Sequence, residues 1–184
     1  MESPPVSAAL RSLPNVLTLL RFVAVPLFGV LFVSAGSGPA VLAGVCFGAA
    51  AATDQLDGWL ARRWRVESAF GRIADPLADR LMISLAAVLL WRDGRLPWAG
   101  ALIVLGRDLL LVVGYRVLAP RGVTVEVNRL GKLGTWVLYL ALTLLIVTRE
   151  GTRWPLWLFW LGVGIAVAAT VQYIAKARRT IERA

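Results

Sequence analysis

Four aspartates stand in two pairs, Asp54 with Asp57 and Asp75 with Asp79, inside the stretch TDQLDGWLARRWRVESAFGRIADPLADR that runs from Thr53 to Arg80. On either side the chain is almost wholly apolar. Spacings of three and four residues put each pair on one face of a helix. On the first helix that face continues through Gly58, Ala61 and Arg62. Pro76 suits the first turn of the second helix, and Gly71 suits the hairpin turn between the two. Folding that hairpin brings four carboxylates together. Unneutralised, they would repel one another, and each is costly in a low dielectric. Oxygen ligands without His or Cys suit Mg²⁺ or Mn²⁺. Carboxylates shared between two such ions make a clamp suited to phosphoryl transfer. Arg62 adds a fork for phosphate oxygens, and the small Gly58 and Ala61 let a bulky ligand approach the backbone. Two plainer readings compete. Asp75 before Pro76 has the look of a helix N-cap. Asp54 and Asp57 have Arg62, Arg63 and Arg80 at hand as salt-bridge partners.

The elements that must position this cluster are membrane helices. The chain is 184 residues, 58% hydrophobic. Six apolar segments follow one another, roughly 15–35, 39–60, 75–91, 96–119, 133–148 and 155–174, separated by Gly- and Pro-bearing joints. The expected fold is therefore an all-α integral membrane protein of six transmembrane helices, one domain over residues 1–184. The first segment is expected to be retained as a span rather than cleaved as a signal peptide. Arg11, Arg62, Arg63, Arg65, Arg72, Arg121, Arg129, Lys132, Lys176, Arg178, Arg179 and Arg183 fall on one side of these spans. Only Arg92, Arg95, Arg149 and Arg153 fall on the other. The asymmetry predicts a multi-pass protein of the cell membrane with both termini and the aspartate cluster on the cytoplasmic side. The net charge of +9 then reads as loops touching anionic membrane lipid. Nucleic acid is not an expected partner, since no recognised binding motif accompanies the charge. The single cysteine, Cys46, excludes an intrachain disulfide, and the absence of histidine excludes His acid–base chemistry.

The spacing Asp54-x2-Asp57-Gly58-x2-Ala61-Arg62-x8-Gly71-x3-Asp75-x3-Asp79 resembles the signature of the CDP-alcohol phosphotransferases, with every fixed position present. The six spans extend the resemblance over nearly the whole chain. It implies a six-helix, homodimeric membrane enzyme that transfers a phosphatidyl or related group from a CDP-linked donor, such as CDP-diacylglycerol, to an alcohol with release of CMP. It implies two divalent ions held by Asp54, Asp57, Asp75 and Asp79, with Asp79 also taking the acceptor's proton. Gly58, Ala61, Arg62 and Gly71 match positions near the cytidine diphosphate.

The acceptor is read from the second half of the chain. Arg107 and Asp108 lie inside the fourth span, Arg116 near its cytoplasmic end, and Lys132 at the start of the fifth. Arg107, Arg116 and Lys132 form a candidate basic pocket for a phosphorylated acceptor. The competing reading pairs Arg107 with Asp108 or another buried acid and leaves Lys132 as a topology signal. The stretches RSLPNVLTLLRFVAVPLF, GRDLLL and LGKLGTW resemble those of bacterial phosphatidylglycerophosphate synthases, which implies glycerol 3-phosphate as acceptor. On the first of these, Asn15, Thr18 and Arg21 share a face; Arg21 either meets an anion or snorkels to the surface. Where the last stretch often carries Lys-Thr in those enzymes, this chain has Gly134-Thr135. Cardiolipin synthases, which use phosphatidylglycerol, share the general pattern, and an inositol phosphate acceptor is a further alternative. From a different class, an ion or proton transporter would also carry intramembrane Asp.

Overall fold

The computed structural model describes the backbone of residues 8–36, 38–64, 69–118 and 129–181. It describes side chains at 19–36, 38–53, 77–111, 113, 130–172, 174 and 175. Six helices and no strand occur among the described residues: α1 (Ala8–Ser34), α2 (Val41–Trp64), α3 (Ala69–Arg92), α4 (Trp98–Leu118), α5 (Arg129–Val147) and α6 (Trp154–Ile181). Each matches one apolar segment of the sequence. Most outrun it, because apolarity marks only the part suited to hydrocarbon, whereas backbone hydrogen bonds continue a helix through polar residues. The difference that bears on the aspartates is α3, which begins at Ala69 rather than at Asp75. Gly71 therefore lies in a helix, not in a turn, and Asp75 is no N-cap: it stands inside α3.

Helix α1 packs on α2 and α3, α2 on α5, α5 on α6, and α4 on α3 and α6. An aromatic column joins α1, α2 and α5: the Phe28, Phe47 and Tyr139 rings follow one another with centroids 5.4 Å apart at each step. The outside is apolar too. Leu19, Leu20, Val23, Leu27, Val30 and Val33 of α1 are all exposed, at helical spacing. In water such a continuous face would drive association, whereas hydrocarbon accepts it. Among the described residues, two helices, over Leu130–Val147 and Trp154–Gln172, are long and apolar enough to cross a membrane. Shorter apolar stretches occupy Leu19–Ser34 and Val41–Thr53.

The joints at 35–40, 93–97 and 148–153 meet at one end of the bundle, where Trp91, Trp98, Trp154 and Trp157 are exposed like an interfacial belt. Arg95, read from the sequence as a topology signal, is buried there. Its guanidinium donates to the carbonyls of Gly38 at 2.8 Å and Thr148 at 2.9 Å. Asp93 and Glu150 supply charge contacts, and the Phe32 ring lies beneath at 5.9 Å. One side chain thus ties all three joints together.

Candidate active site

Only residues 65–68 separate α2 from α3, so the two helices form a hairpin whose arms are in contact. At 1.5 Å per residue, Asp54 and Asp57 stand about 15 and 10 Å along α2 from its end at Trp64. Asp75 and Asp79 stand about 9 and 15 Å along α3 from its start at Ala69. Asp54 is therefore level with Asp79, and Asp57 with Asp75. The side chains of Asp54, Asp57, Gly58, Ala61, Arg62, Gly71 and Asp75 lie outside the described residues, so their roles rest on position in the helices. Asp79 is described. Its neighbour Ala78 is fully buried and begins a buried face that continues through Met82, Ile83, Ala86, Ala87 and Leu90. Packing of that face fixes the rotation of α3 and sets Asp79 and Arg80 at its flank, half-buried, with Asp79 Oδ1 shielded from solvent.

Arg80 points across to α4. Its Nη1 donates to the Asp108 carbonyl at 3.0 Å and lies 3.5 Å from Asp108 Oδ1. Arg107 Nη1 lies 3.5 Å from the same oxygen. The pairing of Arg107 with Asp108 expected from the sequence as an alternative is therefore present. Arg80 as a partner of Asp108 is what reasoning along the chain missed: the sequence offered it only to Asp54 and Asp57, and it stands 28 positions from Asp108.

On α1, Arg21 is 3% exposed, so it does not snorkel to the surface. Gly29 of α1 faces Leu85 of α3, and the two helices run in the same direction. Eight residues back along each, Arg21 is level with Leu77, at the depth of Asp75 and Asp79. A cation is thus buried at the level of the carboxylates, on a helix packed against theirs.

The side chain of Arg116 lies outside the described residues. Lys132 is exposed in the first turn of α5 and forms no ion pair among the described residues. Gly134 is not a vacant pocket position. A Cβ there would lie 2.9 Å from the Ala166 backbone nitrogen of α6 and 3.1 Å from its Cα. Gly162 makes the reciprocal approach to Leu138. Small residues allow this close crossing in the membrane, where packing rather than water exclusion holds helices together.

Helices throughout the described residues, an apolar exterior, and a helical hairpin carrying paired aspartates at matched depth agree with the comparison with known proteins. The profile of the CDP-alcohol phosphatidyltransferases matches residues 11–169. The chain belongs to the CDP-alcohol phosphatidyltransferase family, and is a membrane-associated enzyme of phospholipid synthesis. It is 32% identical to a CDP-diacylglycerol–glycerol-3-phosphate 3-phosphatidyltransferase of Rickettsia typhi over 78% of this chain and 80% of the relative. A probable phosphatidylglycerophosphate synthase of Mycobacterium tuberculosis is 35% identical over 95% of this chain and 85% of its own length. A CMP-forming cardiolipin synthase of Oryza sativa is 32% identical over 96% of this chain and 60% of its own length.

Proposed function

We propose that the protein transfers the phosphatidyl group of CDP-diacylglycerol to glycerol 3-phosphate and releases CMP. The observation that carries this reading is the complete aspartate signature on a hairpin that sets Asp54 level with Asp79 and Asp57 level with Asp75. It is supported by relatives named for that reaction along most of their length. The six helices are read as six spans of the cell membrane, with the aspartate end and both termini on the cytoplasmic side, and the enzyme as a homodimer.

Asp54, Asp57, Asp75 and Asp79 would hold two divalent cations, Mg²⁺ or Mn²⁺. The donor set fits: it is all oxygen, it comes from two helices in contact, and four carboxylates in two level pairs need positive charge beside them. When bound, the cations would neutralise the diphosphate and the charge of the leaving CMP. Gly58 and Ala61 leave space for the cytidine diphosphate, Gly71 lies near it, and Arg62 forks onto its phosphate oxygens. The acceptor hydroxyl attacks the phosphorus that bears the lipid, its proton passes to Asp79, and the bond to CMP breaks. Asp79 needs no large change in basicity for this if the hydroxyl is held in place. Arg107, with Arg116 and Lys132 toward the cytoplasm, meets the acceptor's phosphate.

Cardiolipin synthesis, with phosphatidylglycerol as acceptor, is the second reading, favoured by the similarity to the rice enzyme. The test is purified protein with Mg²⁺ or Mn²⁺, CDP-diacylglycerol and one acceptor at a time. CMP release with glycerol 3-phosphate is the expected result. Release with phosphatidylglycerol alone would replace it by the second reading, release with inositol phosphate alone by that acceptor, and no release with any acceptor would return a transporter to view.

A further inference from the structure

Asp108 is buried halfway along α4, at 7% exposure. A carboxylate at that depth is costly without positive partners. One cation would neutralise it, yet two converge on the same oxygen. Arg80 and Arg107 each bring Nη1 to 3.5 Å from Oδ1, and Arg80 is fixed further by its bond to the Asp108 carbonyl. The carboxylate's other oxygen is buried without a hydrogen-bond partner among the described residues. Among the described residues, two guanidiniums and one carboxylate leave one positive charge over. A further anion is Asp79, which adjoins Arg80 in sequence and lies within electrostatic range of Arg107. In the proposed reaction the charge of Asp79 is committed to the divalent cations. The trio then has a surplus positive charge beside the reacting group, in a place where water screens poorly. A bridge serving only to join α3 to α4 needs one arginine, not two.

We propose that Asp108 is a positioning residue for the acceptor: its carboxylate holds Arg80 and Arg107 beside Asp79, so that their surplus charge meets the acceptor's phosphate already oriented. This rests on the reading of a phosphorylated acceptor above. Without the carboxylate the two like charges separate, and binding the acceptor must first gather them. That cost falls on acceptor binding and on no contact with the donor.

The experiment compares wild type, Asp108→Asn and Asp108→Glu in detergent, with CDP-diacylglycerol and glycerol 3-phosphate varied in turn. Asp108→Asn should raise the acceptor KM by about tenfold or more, the loss of roughly one charge-assisted contact, and the donor KM by less than about threefold. Asp108→Glu, which restores the carboxylate, should recover most of the acceptor KM. Should Asp108→Asn not be recovered folded, Arg80→Gln carries the same test from the more exposed side of the bridge, with the same split expected. Equal shifts in both KM values, an unchanged acceptor KM, or no rescue by Glu overturns the inference and leaves Asp108 a joint between helices. Wild type that releases no CMP with glycerol 3-phosphate removes the acceptor reading, and this inference with it. Wild type that does so, with no split in the variants, removes the inference alone.

Discussion

Gly134 invites a substitution whose outcome discriminates between a pocket position and a packing position. Lysine at this point would give the chain the Lys-Thr found in similar stretches of phosphatidylglycerophosphate synthases. If Gly134 lined the acceptor pocket, Gly134→Lys would lower the acceptor KM. The structure predicts the opposite. A Cβ at 134 meets backbone of α6 at 2.9 Å, and backbone cannot swing aside as a side-chain tip does. Ordinary contact would require α5 and α6 to part by roughly half an ångström or more, and gaps of that size forfeit a quarter to a half of each dispersion contact along the seam. Overpacking of this kind costs about 1–3 kcal/mol. The helix propensity gained from Gly to Ala, about 1 kcal/mol, works the other way. Gly164 of α6 supplies the control, since a Cβ there meets nothing within 4 Å. Gly164→Ala should therefore stabilise, and Gly134→Ala should fall below it by about 1–3 kcal/mol, the clash alone. The assay is thermal or denaturant unfolding of both variants in one detergent, with acceptor KM measured for Gly134→Lys. Equal stabilities of the two alanine variants, or a lower acceptor KM in Gly134→Lys, would refute the packing argument.

Three further outcomes are expected. Chelation should stop CMP release, and Mg²⁺ or Mn²⁺ should restore it; Asp57→Ala should abolish turnover while leaving unfolding near wild type, and full activity in excess chelator sinks the metal assignment. Asp79→Asn keeps an oxygen ligand but cannot take the hydroxyl proton, so turnover should fall sharply while donor binding suffers less than in Asp54→Asn; equal losses of donor affinity would make Asp79 chiefly a ligand. Arg95→Ala strands Asp93 and frees three joints, and should cost about 3 kcal/mol or more, read as a lower unfolding midpoint; an unchanged midpoint would mean the joints hold without it.

The order and number of helices were legible in the sequence because apolar runs of the right length, parted by Gly and Pro, leave few other structures open. The aspartate motif was legible for a similar reason. Its residues lie close along the chain, and the helical repeat alone decides which of them share a face and a depth. The start of α3 was not legible, since apolarity says nothing of how far backbone hydrogen bonding continues into Ala69–Ala74. Contacts between distant helices were not legible either. Arg95 counted as one more charge on a loop until the carbonyls of Gly38 and Thr148, from two other joints, gathered around it. Arg80 was a candidate partner for Asp54 and Asp57 until α4 brought Asp108 against it. Gly134 read as a missing cation until α6 crossed it at backbone distance. In each case the sequence supplied the residue type and the local period. What it did not contain was the rotation of each helix about its axis, which is set by packing against partners dozens of residues away.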